Sequence, residues 1–164
     1  MAKNYILDAD TANRKMQRMA YEIVENNLEE SQLILAGIRE SGSVIARNIQ
    51  QLLQQISNLP TELITITLDK KKPADVVVNP SLDFNDKVVI IIDDVANSGK
   101  TLLYAMKPLL AFHPRKIQTL ALVERTHKAF PVSTDYVGLS VATTLQEHIF
   151  VETDGDQVKG AYME

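Results

Sequence analysis

The sequence predicts an α/β fold: a single domain with a central, mostly parallel sheet flanked by helices. Three observations carry this expectation. Apolar runs of strand length alternate with amphipathic stretches of helical period along most of the chain, the order that places helices on both faces of a parallel sheet. The run Val88–Ile92 (VVIII) is apolar at every position, as a strand buried on both faces must be. A length of 164 residues, 45% of them hydrophobic, suits one compact core spanning residues 1–164.

The elements follow in order. From Thr11 to Leu28, Ala12, Met16, Met19, Ala20, Ile23 and Val24 recur at spacings of three and four, which predicts a helix that Asp8 or Asp10 can cap. Gln32–Ile38 (QLILAGI) reads as a strand, Glu40–Ser43 as a turn, and Ile45, Ile49, Leu52, Leu53 and Ile56 as the buried stripe of a second helix. Thr61–Leu68 (TELITITL) alternates and is rich in β-branched residues, so it predicts a strand. The polar stretch Asp69–Lys87, with Pro73 and Pro80, exceeds the roughly 12–15 residues of an ordinary connection. It reads as a flap, part-structured around Val76–Val78. After the central strand Val88–Ile92 come a turn at Asp93–Ser98 and a helix from Gly99 to Phe112 that Pro108 should bend or cut short. Ile117–Val123 and Tyr136–Val141 supply two more strands.

Composition narrows the function classes. The net charge, 17 − 21 = −4, does not draw the whole chain to nucleic acid or to an anionic membrane. The absence of cysteine excludes disulfides, thiolate metal sites and a cysteine nucleophile, and suits a cytoplasmic address. Residues 1–10 lack a signal-type apolar region, and no run approaches the ~18 apolar residues of a membrane span. His113, His127 and His148 are too scattered to predict a metal cage made by the protein alone.

The chemistry concentrates in Asp93-Asp94-Val95-Ala96-Asn97-Ser98-Gly99-Lys100-Thr101. Amides at a helix start and the hydroxyls of Ser98 and Thr101 make a phosphate cradle, and Gly99 lets the backbone approach. Two carboxylates just upstream accept hydrogen bonds from vicinal hydroxyls or hold a hydrated divalent cation. A sugar phosphate satisfies both halves. Gly99-Lys100-Thr101 looks like the end of a nucleotide P-loop, but that motif needs glycine where Asp94 stands. An acidic pair that merely ends a strand, and a serine that merely caps a helix, remain the ordinary alternative for either half taken alone.

This nine-residue string resembles the phosphoribosyl diphosphate signature of type I phosphoribosyltransferases. Asn13–Asn27, Leu35–Ala46 and Leu120–Gly138 further resemble the bifunctional pyrimidine-operon attenuation regulators that are also uracil phosphoribosyltransferases. The resemblance implies the type I phosphoribosyltransferase fold with a small hood or flap at residues 69–87. It implies transfer of phosphoribosyl from 5-phosphoribosyl 1-diphosphate to a nucleobase such as uracil. Mg²⁺ would accompany the diphosphate, and the chain would form a homo-oligomer.

By the same resemblance Asp93 and Asp94 bind the ribose hydroxyls, and Ala96, Asn97, Ser98, Gly99, Lys100 and Thr101 the 5′-phosphate. The segment Arg39-Glu40-Ser41-Gly42 stands at the pyrophosphate loop, where the regulators carry Lys-Thr-Arg-Gly. Ser41 thus replaces an arginine, and Glu40 adds a negative charge. The flap, with Lys70, Lys71 and Lys72, closes over the reacting sugar, although a lysine run is also ordinary solvated surface. The base pocket falls at Glu124, Tyr136 and Val137. Glu124 replaces the lysine of purine-salvage relatives, which disfavours a 6-oxopurine. Tyr136 serves either as a stacking platform or as a core residue. A nucleotide-sensing regulator that uses the same pocket is the second reading. RNA binding would need a basic face, for which Arg14, Lys15, Arg18, Arg125 and Lys128 are candidates.

Overall fold

The computed structural model describes residues 3–69, 71–73, 75–142 and 147–164. Its central sheet contains β2 (Leu33–Ile38), β3 (Thr61–Leu68), β4 (Val76–Asn79), β5 (Val88–Ala96), β6 (Lys116–Arg125) and β7 (Tyr136–Val141) in the order β4-β3-β2-β5-β6-β7. All neighbours run parallel except β4, which closes one edge antiparallel to β3. β5 is central, as its sequence requires. Val88, Ile90 and Ile92 feed one core and Val89 and Ile91 the other, because successive side chains of a strand leave by opposite faces.

Helices α1 (Ala9–Asn26) and α2 (Ser41–Ile56) cover the first face, burying Met16, Met19, Ile23, Ile45, Ile49 and Leu53. α1 starts two residues before the expected Thr11. The Asp8 carboxylate caps it by accepting from the Thr11 amide at 2.7 Å, while Asp10 pairs with Arg14. The other face is covered by Phe84, by α3 (Lys100–Ala105) and by a 3₁₀ turn at Lys107–Ala111. The expected helix Gly99–Phe112 is therefore cut at Ala105, just ahead of Pro108, which has no amide to donate and crowds the preceding turn.

Both termini hold strands for which the sequence reading made no assignment. β1 (Asn4–Asp8), β8 (Ile149–Asp154) and β9 (Gln157–Met163) form an antiparallel sheet in the order β1-β9-β8. Leu7, Ile149, Val158 and Ala161 anchor it in the first core, and the Arg47 Nε–Asp156 Oδ1 ion pair at 2.7 Å ties its β8–β9 turn to α2. β8 also packs against β5. The stretch 69–87, expected to be the hood, instead rejoins the main sheet through β4 (Val76–Asn79) and buries Phe84. The separate small layer comes from the two chain ends.

Candidate functional site

β5 continues through Ala96, so Asp93 and Asp94 belong to the strand's last turn of pleat and not to a turn after it. Asp93 is 1% exposed, and its Oδ1 accepts from the Asp94 amide at 2.8 Å. Asp94 is half-buried, and its Oδ1 accepts from the Val95 amide at 2.8 Å. The chain then turns through Asn97–Gly99. Gly99 has φ +87°, a left-handed conformation that costs any L side chain roughly 1–2 kcal/mol. The Lys100 amide reaches Ser98 Oγ at 3.3 Å, and α3 begins.

A cleft of about 50 Å³ opens over this turn, lined by Asp93 and the continuous run 95–102. That is room for one phosphate-sized group, well below the roughly 300–1,000 Å³ of a pocket that swallows a small molecule whole. The remainder of a ligand must lie outside it, along the carboxyl edge of the sheet. α3 spans six residues, so its dipole is small, and the turn's amides and hydroxyls supply most of any anion affinity.

The segment after β6 braces the turn from outside. The amides of Ala129 and Phe130 both donate to Ser98 O at 3.0 Å. Arg125 Nε donates to Asn97 Oδ1 at 3.0 Å, and its Nη2 donates to Glu147 O. Asn97 therefore points toward β6 and is held there. Arg125 was expected only as basic surface, because its partners Asn97 and Glu147 are distant in the chain.

Of the four residues expected in a pyrophosphate loop, only Arg39 and Glu40 lie outside regular structure, both exposed and joined by a cis peptide. Ser41 and Gly42 form the first turn of α2. Gly42 packs so tightly that a Cβ there would stand 2.7 Å from Ile92 O and 3.2 Å from Asp93 Cα. This contact sets Gly42 directly against the strand at Ile92 and Asp93. Lys71 and Lys72 are exposed, and Lys70 lies outside the described residues.

At the end of β6, Glu124 sits across from Ala96 on one side and Ser140 on the other. Its carboxylate forms an ion pair with Lys128 and accepts from Ser140 Oγ at 3.1 Å, with side-chain exposures of 13% for Glu124 and 16% for Lys128. Burial pushes the Glu124 carboxyl up, but the hydrogen bonds and charge around it, Lys128 foremost, outweigh burial and hold it below the ordinary glutamate value. A lowered folded-state pKa means stability that is complete above the unfolded value and lost as pH falls through the folded one. Glu124→Gln should thus lose more stability at pH 7 than near pH 3, measured as urea unfolding midpoints relative to wild type. An equal loss at both pH values would contradict the assignment.

Tyr136 requires a correction. It pairs with Leu120, short of the carboxyl edge, and its ring is 1% exposed. Its hydroxyl donates to Gln118 Oε1 at 2.8 Å and accepts from Asn27 Nδ2 at 3.4 Å, so the group fills the core and offers no stacking face. Val137 O and Gly138 O both accept from Arg18 Nη2 at 2.9 Å, which commits that backbone to α1. An exposed ring is carried by Phe150 on β8, 44% exposed and stacked on Tyr162 with centroids 5.3 Å apart. The triplet Ile149-Phe150-Val151 carries the β-branched and aromatic signal that could have revealed it.

The three histidines are exposed and far apart in the chain, and among the described residues no group of three or more His, Asp or Glu could hold a metal ion. No helix among those residues is long and apolar enough to cross a membrane.

The family described as "Phosphoribosyl transferase domain" matches residues 4–154. The chain is 38% identical to the "Bifunctional protein PyrR" of Staphylococcus carnosus, over 94% of this chain and 96% of that protein. It is 36% identical to the protein of the same name from Streptococcus gordonii, over 94% and 95%. Among solved structures it superposes on the hypoxanthine phosphoribosyltransferase of Trypanosoma cruzi with TM-score 0.75, covering 85% of this chain and 82% of that one at 16% identity. A hypoxanthine-guanine phosphoribosyltransferase of Bacillus anthracis gives TM-score 0.72 over 87% and 84%, at 16% identity. At these identities the structural likeness speaks for the fold, which is the type I phosphoribosyltransferase fold.

Proposed function

Since the chain belongs to the phosphoribosyl transferase domain family, we propose that it transfers the phosphoribosyl group of 5-phosphoribosyl 1-diphosphate to a ring nitrogen of uracil, releasing pyrophosphate. The observation that carries this is the turn after β5: a phosphate-sized cleft walled by Val95–Leu102, bordered by Asp93 and closed on a left-handed Gly99.

In this reading the amides and hydroxyls of Ala96–Thr101 hold the 5′-phosphate, with Lys100 adding charge. Asp93 and Asp94 take the ribose hydroxyls. Arg39, with the start of α2 at Ser41 and Gly42, meets the diphosphate, and Glu40 turns to solvent. Lys71 and Lys72 of the flap would meet the leaving pyrophosphate. The base occupies the space between Glu124 and the exposed ring of Phe150, which replaces Tyr136 as the stacking surface. The protein's work is to align donor and acceptor, withdraw water from an oxocarbenium-like transition state and meet its charge, with no covalent nucleophile. Mg²⁺ suits the oxygen-rich donors of the acidic pair, and when carried in on the diphosphate it would offset the charge of the leaving group. A cytoplasmic, homo-oligomeric protein fits this reading.

A second reading is a nucleotide-sensing regulator that uses the same pocket. Glu40 and Ser41 favour it, because a carboxylate and a neutral hydroxyl beside a diphosphate weaken its binding. RNA binding draws little support from the first helix, where Arg14 pairs with Asp10 at 2.7 Å and Arg18 with Glu22 at 3.0 Å.

The test is pyrophosphate release by the purified chain with phosphoribosyl diphosphate, Mg²⁺ and uracil. Release that depends on uracil is the expected result. No release with any base, together with calorimetric binding of uridine 5′-monophosphate, would replace the enzyme by the sensor.

A further inference from the structure

We propose that Arg125 is a positioning residue for the phosphoribosyl donor: its guanidinium holds the phosphate turn through Asn97 and anchors that turn to the backbone at Glu147, just ahead of β8. The inference rests on the phosphoribosyl site proposed above and names what keeps its phosphate end in shape.

The turn has little to stiffen it from within. Residues 97–99 lie between the end of β5 and α3, and α3 runs for six residues. The bond from the Lys100 amide to Ser98 Oγ is long, at 3.3 Å. A cradle of amides binds an anion tightly when the amides converge before the anion arrives, since ordering them on binding subtracts from the affinity. That order comes from the segment after β6. The Ala129 and Phe130 amides both donate to Ser98 O at 3.0 Å, and Phe130 O would stand 3.2 Å from a Cβ on Gly99. These contacts fix the middle and end of the turn. Arg125 fixes its first residue, donating from Nε to Asn97 Oδ1 at 3.0 Å.

Arg125 can serve as a strut because it is itself held at both ends. It closes β6, where Glu124 is in register with Ala96 and Arg125 with Val141, and the next amide, that of Thr126, donates to Val141 O at 3.0 Å. The far arm of the guanidinium donates from Nη2 to Glu147 O. His148 follows, and it exchanges backbone hydrogen bonds of 3.0 Å in both directions with Glu164, so the strut ends on the sheet made by the chain termini. A planar guanidinium directs several donors at fixed angles and can span two acceptors, whereas a lysine ammonium is a point charge on a flexible stem. Asn97 lines the cleft beside Ser98 and Gly99, so a shift of its backbone carries the following amides out of line.

The experiment is calorimetric titration of ribose 5-phosphate into the purified full chain and three variants: Asn97→Ala, Arg125→Lys and the two combined. Asn97 is exposed and Arg125 is half-buried at a strand end, so the urea midpoints should stay close to wild type. Each single variant should weaken ribose 5-phosphate by roughly 10-fold, the low end for a hydrogen bond to a charged group. Arg125→Lys keeps the positive charge, so its loss reports the bridge and not a long-range attraction for phosphate. The combined variant should bind within about threefold of either single one, because both changes break the same bridge. Wild-type affinity in either single variant overturns the proposal. So do losses that multiply to about 10²-fold in the combined variant, which would mean that Asn97 and Arg125 act on the phosphate separately. The phosphate site stands in both cases. Failure of wild type to bind ribose 5-phosphate would overturn that site and, with it, this inference.

Discussion

Asp94→Asn should lower uracil-dependent pyrophosphate release by roughly 10²–10⁴-fold, the weakening of two hydrogen bonds to a charged acceptor at about 1.5–3 kcal/mol each. The substitution keeps the shape of the side chain and removes its charge. Asp94 is half-buried at the end of β5, and the amide oxygen of asparagine can still accept from the Val95 amide, so the fold should survive. A thermal midpoint within about 2 °C of wild type would confirm that the variant is folded. The same change at Asp93 is a different experiment. Asp93 is 1% exposed and its Oδ1 braces the Asp94 amide, so Asp93→Asn would confound lost binding with a disturbed strand end. Activity of Asp94→Asn within threefold of wild type would remove this carboxylate from the site.

The parts of the fold that were legible in the sequence are those whose signals are local and strong. Val88–Ile92 had no polar residue to place on a wet face, and it became the central strand. The α1 stripe of Met16, Met19, Ala20 and Ile23 fixed its buried side. Pro108 marked the end of α3. The nine-residue string from Asp93 marked the strand end and turn that line the cleft after β5.

What the sequence concealed depends on partners remote in the chain. The strands of the two ends are stabilised by each other: β1 pairs with β9 across some 150 residues, and neither is apolar enough alone to declare itself. Tyr136 reads equally well as a stacking platform or a core ring, and only the arrival of Gln118 and Asn27 at its hydroxyl decides for the core. The bracing of Asn97 by Arg125 and of Ser98 by Ala129 and Phe130 is likewise invisible in sequence, since it depends on how the connection after β6 folds back. The expected loop at Arg39–Gly42 proved to be half helix because α2 starts immediately after the turn, with Gly42 seated on β5.

That seat gives the second large effect. In most helices Gly→Ala stabilises by about 1 kcal/mol, since alanine has less backbone freedom to lose. At Gly42 the added Cβ would stand 2.7 Å from Ile92 O and 3.2 Å from Asp93 Cα, both backbone atoms of the central strand that cannot swing aside. Relief requires the start of α2 to move off β5, and forced overpacking of this kind costs about 1–3 kcal/mol. Overlap therefore outweighs propensity, and Gly42→Ala should lower the urea midpoint where Gln51→Ala, exposed on the same helix, should not. The larger consequence is for chemistry. Arg39, Glu40 and Ser41 move with the helix start while Asp93 and Asp94 stay with the strand, so the diphosphate and ribose ends of the donor lose their common alignment. A displacement on the order of 1 Å in such a site costs about 10²-fold. The signature is a pyrophosphate-release rate that falls much further than the modest stability loss predicts, with the rise in KM confined to phosphoribosyl diphosphate and the KM for uracil unchanged. Wild-type kinetics in Gly42→Ala would mean that the contact between α2 and β5 does not position the diphosphate.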